Sequence, residues 1–222
     1  EPIAIERGHE IVLRASTADD VDPKVIAMAD VAIEFTNPES AVKNILTCFE
    51  SNTPVVVGTT GWYEQEDMVN AKMESTGGAI LPATNFSLGV NIYLEINRKL
   101  GEFMNHQSQY DVMIEETHHT EKLDAPSGTA ITIGEGILDT VNRKSDWKLD
   151  HANSNDDLLI KAYREPNVPG THVVTYSSPV DSIKLEHVAH SRKGFALGAV
   201  IAAEFLAGKS GSYTMKDVLN LS

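Results

Sequence analysis

The sequence predicts an α/β protein of two parts: a parallel sheet covered by helices, and an α+β region with a mixed sheet. The first third of the 222-residue chain alternates short apolar runs with helical patterns, whereas the middle carries strand candidates in succession. Alternation with short links is typical of a parallel sheet with right-handed crossovers. Successive strands indicate a mixed or antiparallel sheet.

Three strands are predicted in the first part. Ala29–Thr36 is short and mostly apolar, as expected of a strand that is buried on both faces, and Thr53–Val57 and Ala79–Pro82 follow it. A helical pattern that begins at Pro38 separates the first two strands. A second one, Gln65–Ser75, precedes a pair of glycines that should end it. This order predicts β-α-β-α-β.

The N-terminal residues predict a sheet without its first strand. Ile3–His9 has the pattern of a helix end, and Glu10–Leu13 that of the strand after it. A dinucleotide-binding domain opens with a strand and a glycine-rich turn that holds the pyrophosphate, and no such turn is present. Either the natural chain is longer at its N-terminus or the fold does not bind nucleotides. We favour the first, a Rossmann-type domain lacking its first strand and glycine-rich loop.

The second part begins with a long predicted helix, Asn85–Phe103, and a strand, Tyr110–Thr117, that leads into two histidines. Ser127–Arg143 is a further helical pattern, and Phe195–Leu206 a strongly apolar terminal helix. Between these last two helices lie three strand candidates without intervening helices: Leu158–Arg164, His172–Tyr176 and Ser182–His190.

Composition limits the classes of function. A formal net charge of −14 argues against a nucleic-acid binder, which needs a basic surface. The apolar runs are too short to span a membrane, and the first residues show no signal-peptide pattern. Cys48 is the only cysteine, so no internal disulfide can form. We therefore expect a cytoplasmic protein without nucleic-acid or membrane partners.

The segment EETHHTEKLDAPSGTA, residues 115–130, concentrates titratable groups beside a rigid turn. His118 and His119 could take part in proton transfer or simply lie exposed on a loop. Lys122 could be a tuned acid held by Asp124, or half of a surface ion pair of little energetic weight. Spacing alone leaves these alternatives open.

The turn that follows predicts a helix N-terminus. Pro126 stiffens the approach, Ser127 is a candidate N-cap, Gly128 lets a ligand approach the backbone, and Thr129 adds a hydroxyl group. Free amides and the helix dipole attract carboxylates and phosphates. A capped helix needs no ligand, but beside the histidines and the lysine we favour a site for an acidic substrate.

Two further loops, Gly58–Gly61 and Ala83–Phe86, follow predicted parallel strands at the end where α/β folds bind ligands. A metal site is not expected, because adjacent histidines chelate one ion poorly and Glu116, His118 and His119 match no usual zinc spacing.

Four motifs are similar to those of one enzyme family, the 4-hydroxy-tetrahydrodipicolinate reductases, also called dihydrodipicolinate reductases. Glu116–Ala130 resembles its signature E-x-H-H-x-x-K-x-D-A-P-S-G-T-A, and Val57–Trp62 its V-G-T-T-G-aromatic cofactor loop. Ala83–Asn91 resembles A-x-N-F-S-x-G-V-N, and Ser191–Ala196 resembles S-R-x-x-F-A. The motifs occur in the family's order, but the opening G-x-x-G-x-M-G loop is absent.

The resemblance implies an NAD(P)H-dependent oxidoreductase that converts 4-hydroxy-tetrahydrodipicolinate to tetrahydrodipicolinate in lysine and diaminopimelate biosynthesis. It implies NADPH or NADH as cofactor, a small dicarboxylate substrate and a homotetramer assembled through the second sheet. Residues 1–84 and 195–222 would form the dinucleotide-binding domain. Residues 85–194 would form the substrate-binding and oligomerisation domain.

The resemblance also implies residue roles. His118 would be the proton donor, Lys122 a second acid and substrate contact, and His119 a substrate contact. Gly128 and Thr129 would hold a substrate carboxylate. The cofactor's nicotinamide end would be faced by Gly58, Thr59, Thr60, Ala83, Thr84, Asn85 and Phe86.

Two other classes of function remain possible from the residues alone. A metal-dependent hydrolase would use Glu116, His118 and His119 as ligands. A metabolite-sensing protein of the same fold would bind its ligand without turnover, although a sensor has no need of Lys122 as a proton donor.

Overall fold

The chain forms two compact units in the structure, a computed structural model that describes residues 1–16 and 21–221. Unit 1 is Glu1–Leu88 with Lys193–Ser222, and unit 2 is Gly89–Arg192. No helix in the described ranges combines the length and the apolarity that crossing a membrane requires. In chain order the elements are α1 (Pro2–Glu6), α2 (Pro23–Ile26), β1 (Ala32–Glu34), α3 (Pro38–Glu50), β2 (Val55–Val57), α4 (Glu66–Thr76), β3 (Ala79–Pro82), α5 (Leu88–Asn105), β4 (Asp111–His118), α6 (Gly128–Leu138), β5 (Asp146–Leu149), β6 (Asp157–Arg164), β7 (Gly170–Ser177), β8 (Ser182–Ala189), α7 (Lys193–Leu206), β9 (Gly211–Ser212) and α8 (Met215–Leu219).

Unit 1 is built on a parallel sheet with the strand order β1-β2-β3-β9. Its central strand β2 is buried on both faces, as the apolar sequence predicted. Val55 and Val57 pack against the layer of α3 and α4, whereas Val56 packs against the layer of α7. Cys48 of α3 lies in the first of these layers, and burial raises the pKa of its thiol to about 12. The predicted Rossmann-like parallel sheet is confirmed.

Unit 2 is built on a five-stranded mixed sheet with the order β5-β6-β4-β7-β8. Strands β5, β6 and β4 are parallel, and β7 and β8 continue the sheet in antiparallel fashion. Helices α5 and α6 cover it through one apolar cluster that includes Tyr93, Ile133 and Ile137. The second, mixed sheet expected from the sequence is therefore confirmed.

Several expected element bounds were wrong. Glu10–Leu13 forms no strand, because no described strand lies beside it to share hydrogen bonds, although Leu13 packs against the unit 1 core. Helix α5 begins at Leu88 and not at Asn85, whose side chain accepts the amide hydrogen of Ser87 at 2.9 Å in a local turn.

Helix α6 is shorter than expected and ends at Leu138 instead of Arg143. Beyond it, the amide of Asn142 donates to the side-chain oxygen of Asn105 at 2.9 Å instead of continuing the helical ladder. Strand β5, with the sequence DWKL, was missed because four residues with only two apolar positions are too short to show a period.

Candidate active site

One face of β4 changes from apolar to ionisable along its length. Val112, Ile114, Glu116 and His118 are alternate residues of this strand, and all four are buried. The first two contribute to the core under α5 and α6. The carboxyl end of β4 therefore extends the apolar core into a buried carboxylate and a buried imidazole.

The sheet register supplies this pair with two partners that the sequence analysis did not find. His172 on β7 lies opposite Glu116, and Arg164 on β6 lies opposite His118. The distance from His172 Nε2 to Glu116 Oε2 is 3.7 Å, and that from Arg164 Nη1 to Glu116 Oε1 is 3.9 Å. The rings of His118 and His172 meet edge to face, with centroids 5.1 Å apart.

Glu116 also contacts the start of α6. The amide of Ser127 donates to Glu116 Oε1 at 3.0 Å, and Ser127 Oγ lies 3.2 Å from His172 Nε2. The same hydroxyl oxygen accepts the amide hydrogen of Ala130 at 3.1 Å, so the predicted N-cap is confirmed. A side chain added at Gly128 would meet only open space, so the first turn of the helix is accessible to a ligand.

The loop between β4 and α6 carries the other ionisable groups. Lys122 Nζ lies 2.8 Å from both carboxylate oxygens of Asp124, so the predicted ion pair is present. Arg164 fixes this loop by donating to the carbonyl oxygens of Lys122 at 3.3 Å and Asp124 at 2.6 Å. His119 follows the end of β4, and its Nε2 atom lies 3.4 Å from Arg192 Nη2.

Burial is the largest single influence on the pKa values of His118 and Glu116. Burial, opposed in part by the carboxylate of Glu116, lowers the pKa of His118 to about 4. Nearby His172, Lys122 and Arg164 lower it further. Burial alone would raise the pKa of Glu116, but interactions with His172, Ser127 and His118 lower it below its usual range. At neutral pH the pair is therefore a neutral imidazole beside a charged carboxylate.

The low pKa of His118 has a consequence for stability. The folded pKa, about 4, lies below the unfolded value of 6.5, so the unfolded chain binds more protons between these pH values. We expect neutral His118 to make its full contribution to the free energy of unfolding above about pH 6.5. This contribution, at most about 3 kcal/mol, should be lost as the pH falls toward 4. Urea unfolding at pH 7 and pH 4.5 would measure how much of the free energy of unfolding is lost between these pH values. The loss should be smaller for His118→Gln than for the wild type, whereas substitution of the exposed His106 should leave it unchanged.

Three of these groups could also be read as metal ligands. One atom each from Glu116, His118 and His172 lies within 4.8 Å of the others. This trio differs from the one considered in the sequence, in which His119 was the third ligand. Both oxygens of Glu116 already accept the amide hydrogen of Ser127, and His172 Nε2 contacts the hydroxyl of Ser127. Glu116 and His172 therefore have hydrogen-bond partners without an ion, and the expectation of no metal site stays a prediction.

A second candidate site lies in unit 1 at the carboxyl ends of the parallel strands. Gly58, Thr59 and Thr60 follow β2, and residues 83–86 follow β3. The amide of Thr36, after β1, donates to Thr59 Oγ1 at 2.7 Å, so the segments that follow β1 and β2 are joined.

Close packing explains why small residues occur at this edge. The rings of Phe35 and Phe86 lie 5.5 Å apart, and a Cβ atom at Gly58 would come within 2.1 Å of the ring of Phe35. On α7, a Cβ atom at Gly198 would come within 1.7 Å of the carbonyl oxygen of Phe86. This edge of small residues, hydroxyls and an aromatic ring lies at the carboxyl ends of the parallel strands, where α/β sheets bind their ligands.

Comparisons with known proteins point to one enzyme family. The family model "Dihydrodipicolinate reductase, N-terminus" matches residues 7–86, and "Dihydrodipicolinate reductase, C-terminus" matches residues 89–219. The 4-hydroxy-tetrahydrodipicolinate reductase of Christiangramia forsetii is 48% identical over 222 residues, which cover 99% of this chain and 92% of the relative. That of Neisseria gonorrhoeae is 35% identical over 232 residues, covering 100% of this chain and 84% of the relative.

A solved structure supports the fold independently. Dipicolinate-bound dihydrodipicolinate reductase from Paenisporosarcina sp. TG-14 is similar with a TM-score of 0.76 at 20% identity. The match covers 96% of this chain and 92% of the other.

Proposed function

We propose the function of this chain from the premise that it belongs to the dihydrodipicolinate reductase family. It catalyses the NAD(P)H-dependent reduction of 4-hydroxy-tetrahydrodipicolinate to tetrahydrodipicolinate, a step of lysine and diaminopimelate biosynthesis. The observation that carries the proposal is the buried imidazole of His118 at the end of β4, beside the accessible first turn of α6.

The reaction adds one hydride and one proton to the substrate ring, and one water leaves. Bound NADPH or NADH supplies the hydride, and the residues of unit 2 would manage the charge. Gly128 and Thr129 at the start of α6 would hold one substrate carboxylate through backbone amides and the helix dipole. Lys122 and His119, in the loop before that helix, would contact the substrate and its second negative charge.

His118 would deliver the proton, although the free imidazole is neutral at pH 7 because of its low pKa. A bound dicarboxylate places negative charge near the ring and so raises the pKa of the imidazole. His118 would therefore take up a proton as the substrate binds and release it when hydride addition leaves electron density on the ring. The substrate would thus prepare its own acid catalyst.

Gly58, Thr59 and Thr60, together with Ala83, Thr84, Asn85 and Phe86, would hold the nicotinamide end of the cofactor. This assignment is supported by their common position at the carboxyl edge of the unit 1 sheet, which is also where the small residues are needed for packing. Unit 1 would accordingly be the dinucleotide-binding domain, and unit 2 the substrate-binding and oligomerisation domain.

The proposal is tested by nicotinamide oxidation with freshly generated 4-hydroxy-tetrahydrodipicolinate, followed by absorbance with NADPH and NADH in parallel. We expect turnover that depends on the dicarboxylate and continues after treatment with a chelator. Cofactor binding without any turnover would support the sensing alternative, and loss of turnover on metal removal would support the hydrolase-like metal site.

Replacing Lys122 with alanine should raise the KM for the substrate about tenfold or more and also lower kcat, because an opposite charge near the dianion would be lost. The exposed Lys99 on α5 provides a matched control, since Lys99→Ala removes the same charge elsewhere in unit 2. Steady-state kinetics at several substrate concentrations would separate the two constants. An unchanged KM for Lys122→Ala would contradict the substrate contact.

A homotetramer assembled through the unit 2 sheet and a cytoplasmic location complete the proposal. Strand β8 is an edge strand of the unit 2 sheet, and it carries exposed apolar residues, including Ile183 and Val188. Exposed apolar edge strands are commonly covered by another subunit. The single cysteine, Cys48, is consistent with a reducing compartment. Light scattering of the purified protein would determine the number of subunits.

A further inference from the structure

The roles proposed above leave the charge of Glu116 unexplained. Its side chain is fully buried, whereas Lys122 and Thr129 are partly exposed and Gly128 is exposed. A buried carboxylate is costly unless hydrogen bonds or opposite charges stabilise it. A neutral glutamine of the same shape could accept the amide hydrogen of Ser127 equally well. The negative charge therefore needs a separate explanation.

The neighbours of Glu116 suggest that explanation. Glu116 Oε2 lies 3.4 Å from His118 Nδ1, an atom that forms no hydrogen bond with the described residues. The other groups acting on His118 are His172 on β7, Arg164 on β6 and Lys122 in the following loop. These three are positive or neutral. Of the four groups that act on His118, Glu116 is therefore the one that favours the protonated imidazole.

We propose that Glu116 is a positioning residue that tunes His118 for proton uptake through its negative charge and anchors the first turn of α6 through the amide of Ser127. This inference rests on the proposed function, because it assigns the proton donor to His118. One buried carboxylate thereby couples the acid group to the helix start that would hold the substrate carboxylate. A substrate bound at the helix start meets an imidazole that is already prepared to accept a proton.

The charge makes a specific prediction for the pH dependence of kcat. Activity requires protonated His118 in the substrate complex, so kcat should fall as the pH rises through the pKa of that group. Glu116→Gln removes an opposite charge 3.4 Å from the imidazole, which should move this basic limb about 1–3 pH units lower. Near pH 8 the loss in kcat should accordingly be about 10- to 1,000-fold, and it should be smaller at pH 6.

Two further variants separate the charge from the structure. Glu115→Gln makes the same chemical change on the adjacent residue, whose side chain instead contacts the hydroxyl of Tyr163 at 3.3 Å, and it should leave the basic limb in place. Glu116→Asp keeps the charge but shortens the side chain, so it should lower kcat while keeping the limb closer to that of the wild type than glutamine does. A purely structural role predicts the reverse order, since glutamine is the better fit.

A second measurement needs no turnover. The ring proton signal of His118, identified by its loss in His118→Gln, can be titrated by NMR with and without dipicolinate as a dianionic probe. Dipicolinate should raise the pKa of His118 in the wild type, and Glu116→Gln should lower it in the same complex. An inactive wild-type chain would overturn the proposed function. An active wild type whose basic limb and His118 titration are unchanged by Glu116→Gln would overturn this inference alone.

Discussion

Replacing His118 with glutamine is expected to lower kcat about 10²- to 10⁴-fold, the range that a positioned acid contributes, while NADPH affinity stays unchanged. The imidazole is buried at the end of β4 in unit 2, and the residues proposed to hold the cofactor belong to unit 1. Glutamine retains hydrogen-bonding capacity and comparable volume, but it cannot take up a proton. The loss should therefore concern the proton-transfer step rather than binding.

Kinetics and a direct binding measurement are both needed to test this expectation. Cofactor affinity can be followed by calorimetry, and kcat by nicotinamide absorbance. The exposed His106 is the matched control, because His106→Gln makes the same change in unit 2 away from the site. If His118→Gln weakened cofactor binding as much as turnover, the assigned role as proton donor would be wrong.

Replacing Gly198 with alanine is expected to destabilise unit 1 by about 3 kcal/mol, at the upper end of the usual cost of overpacking. The added Cβ would lie 1.7 Å from the carbonyl oxygen and 2.7 Å from the carbonyl carbon of Phe86, which are backbone atoms that cannot rotate away. Either α7 or the segment 83–86 must move. The clash outweighs the roughly 1 kcal/mol by which alanine otherwise favours a helix, and NADPH binding should weaken too.

Gly194, one turn earlier on α7, provides the control. A Cβ atom there would meet nothing closer than Ser87 Oγ at 3.9 Å, so Gly194→Ala should not destabilise the chain. Urea unfolding can be followed by the fluorescence of the buried Trp62 in unit 1, with Trp147 of unit 2 replaced by phenylalanine. Equal stabilities of the two glycine variants would contradict the close approach of α7 to Phe86.

Local patterns were sufficient to predict the elements with strong periodicity. The β-α-β-α-β order, the helix start at Pro38 and the strand at Ala79–Pro82 were all predicted from apolar spacing and breaker residues. Strand β9 could not be predicted, because two residues carry no period, and it exists only through its pairing with β3. Glu10–Leu13 shows the opposite case, in which an apolar pattern without a neighbouring strand is not sufficient.

The candidate site likewise contains some residues that local sequence predicts and others that it does not. Ser127 as N-cap and the pair Lys122–Asp124 are local in sequence and were predicted correctly. His172 and Arg164 reach Glu116 only through the register of β7 and β6 against β4, which spacing along one chain does not reveal. The strand sequence DVMIEETH has no apolar alternation that distinguishes Glu116 from Glu115, so only the structure shows which of the two carboxylates points into the core.

The return of the chain to unit 1 at Lys193 bears on how the protein is made. The chain leaves the ribosome with its N-terminus first. Unit 2 is therefore complete before the second segment of unit 1, which begins at Lys193, has been synthesised. Until that segment emerges, β3 has no β9 beside it, and Val56 and Leu81 lack the covering side chains of α7. The part of unit 1 that precedes unit 2 therefore presents an uncovered apolar surface during translation, the kind of surface that chaperones bind, until α7 and β9 have been synthesised.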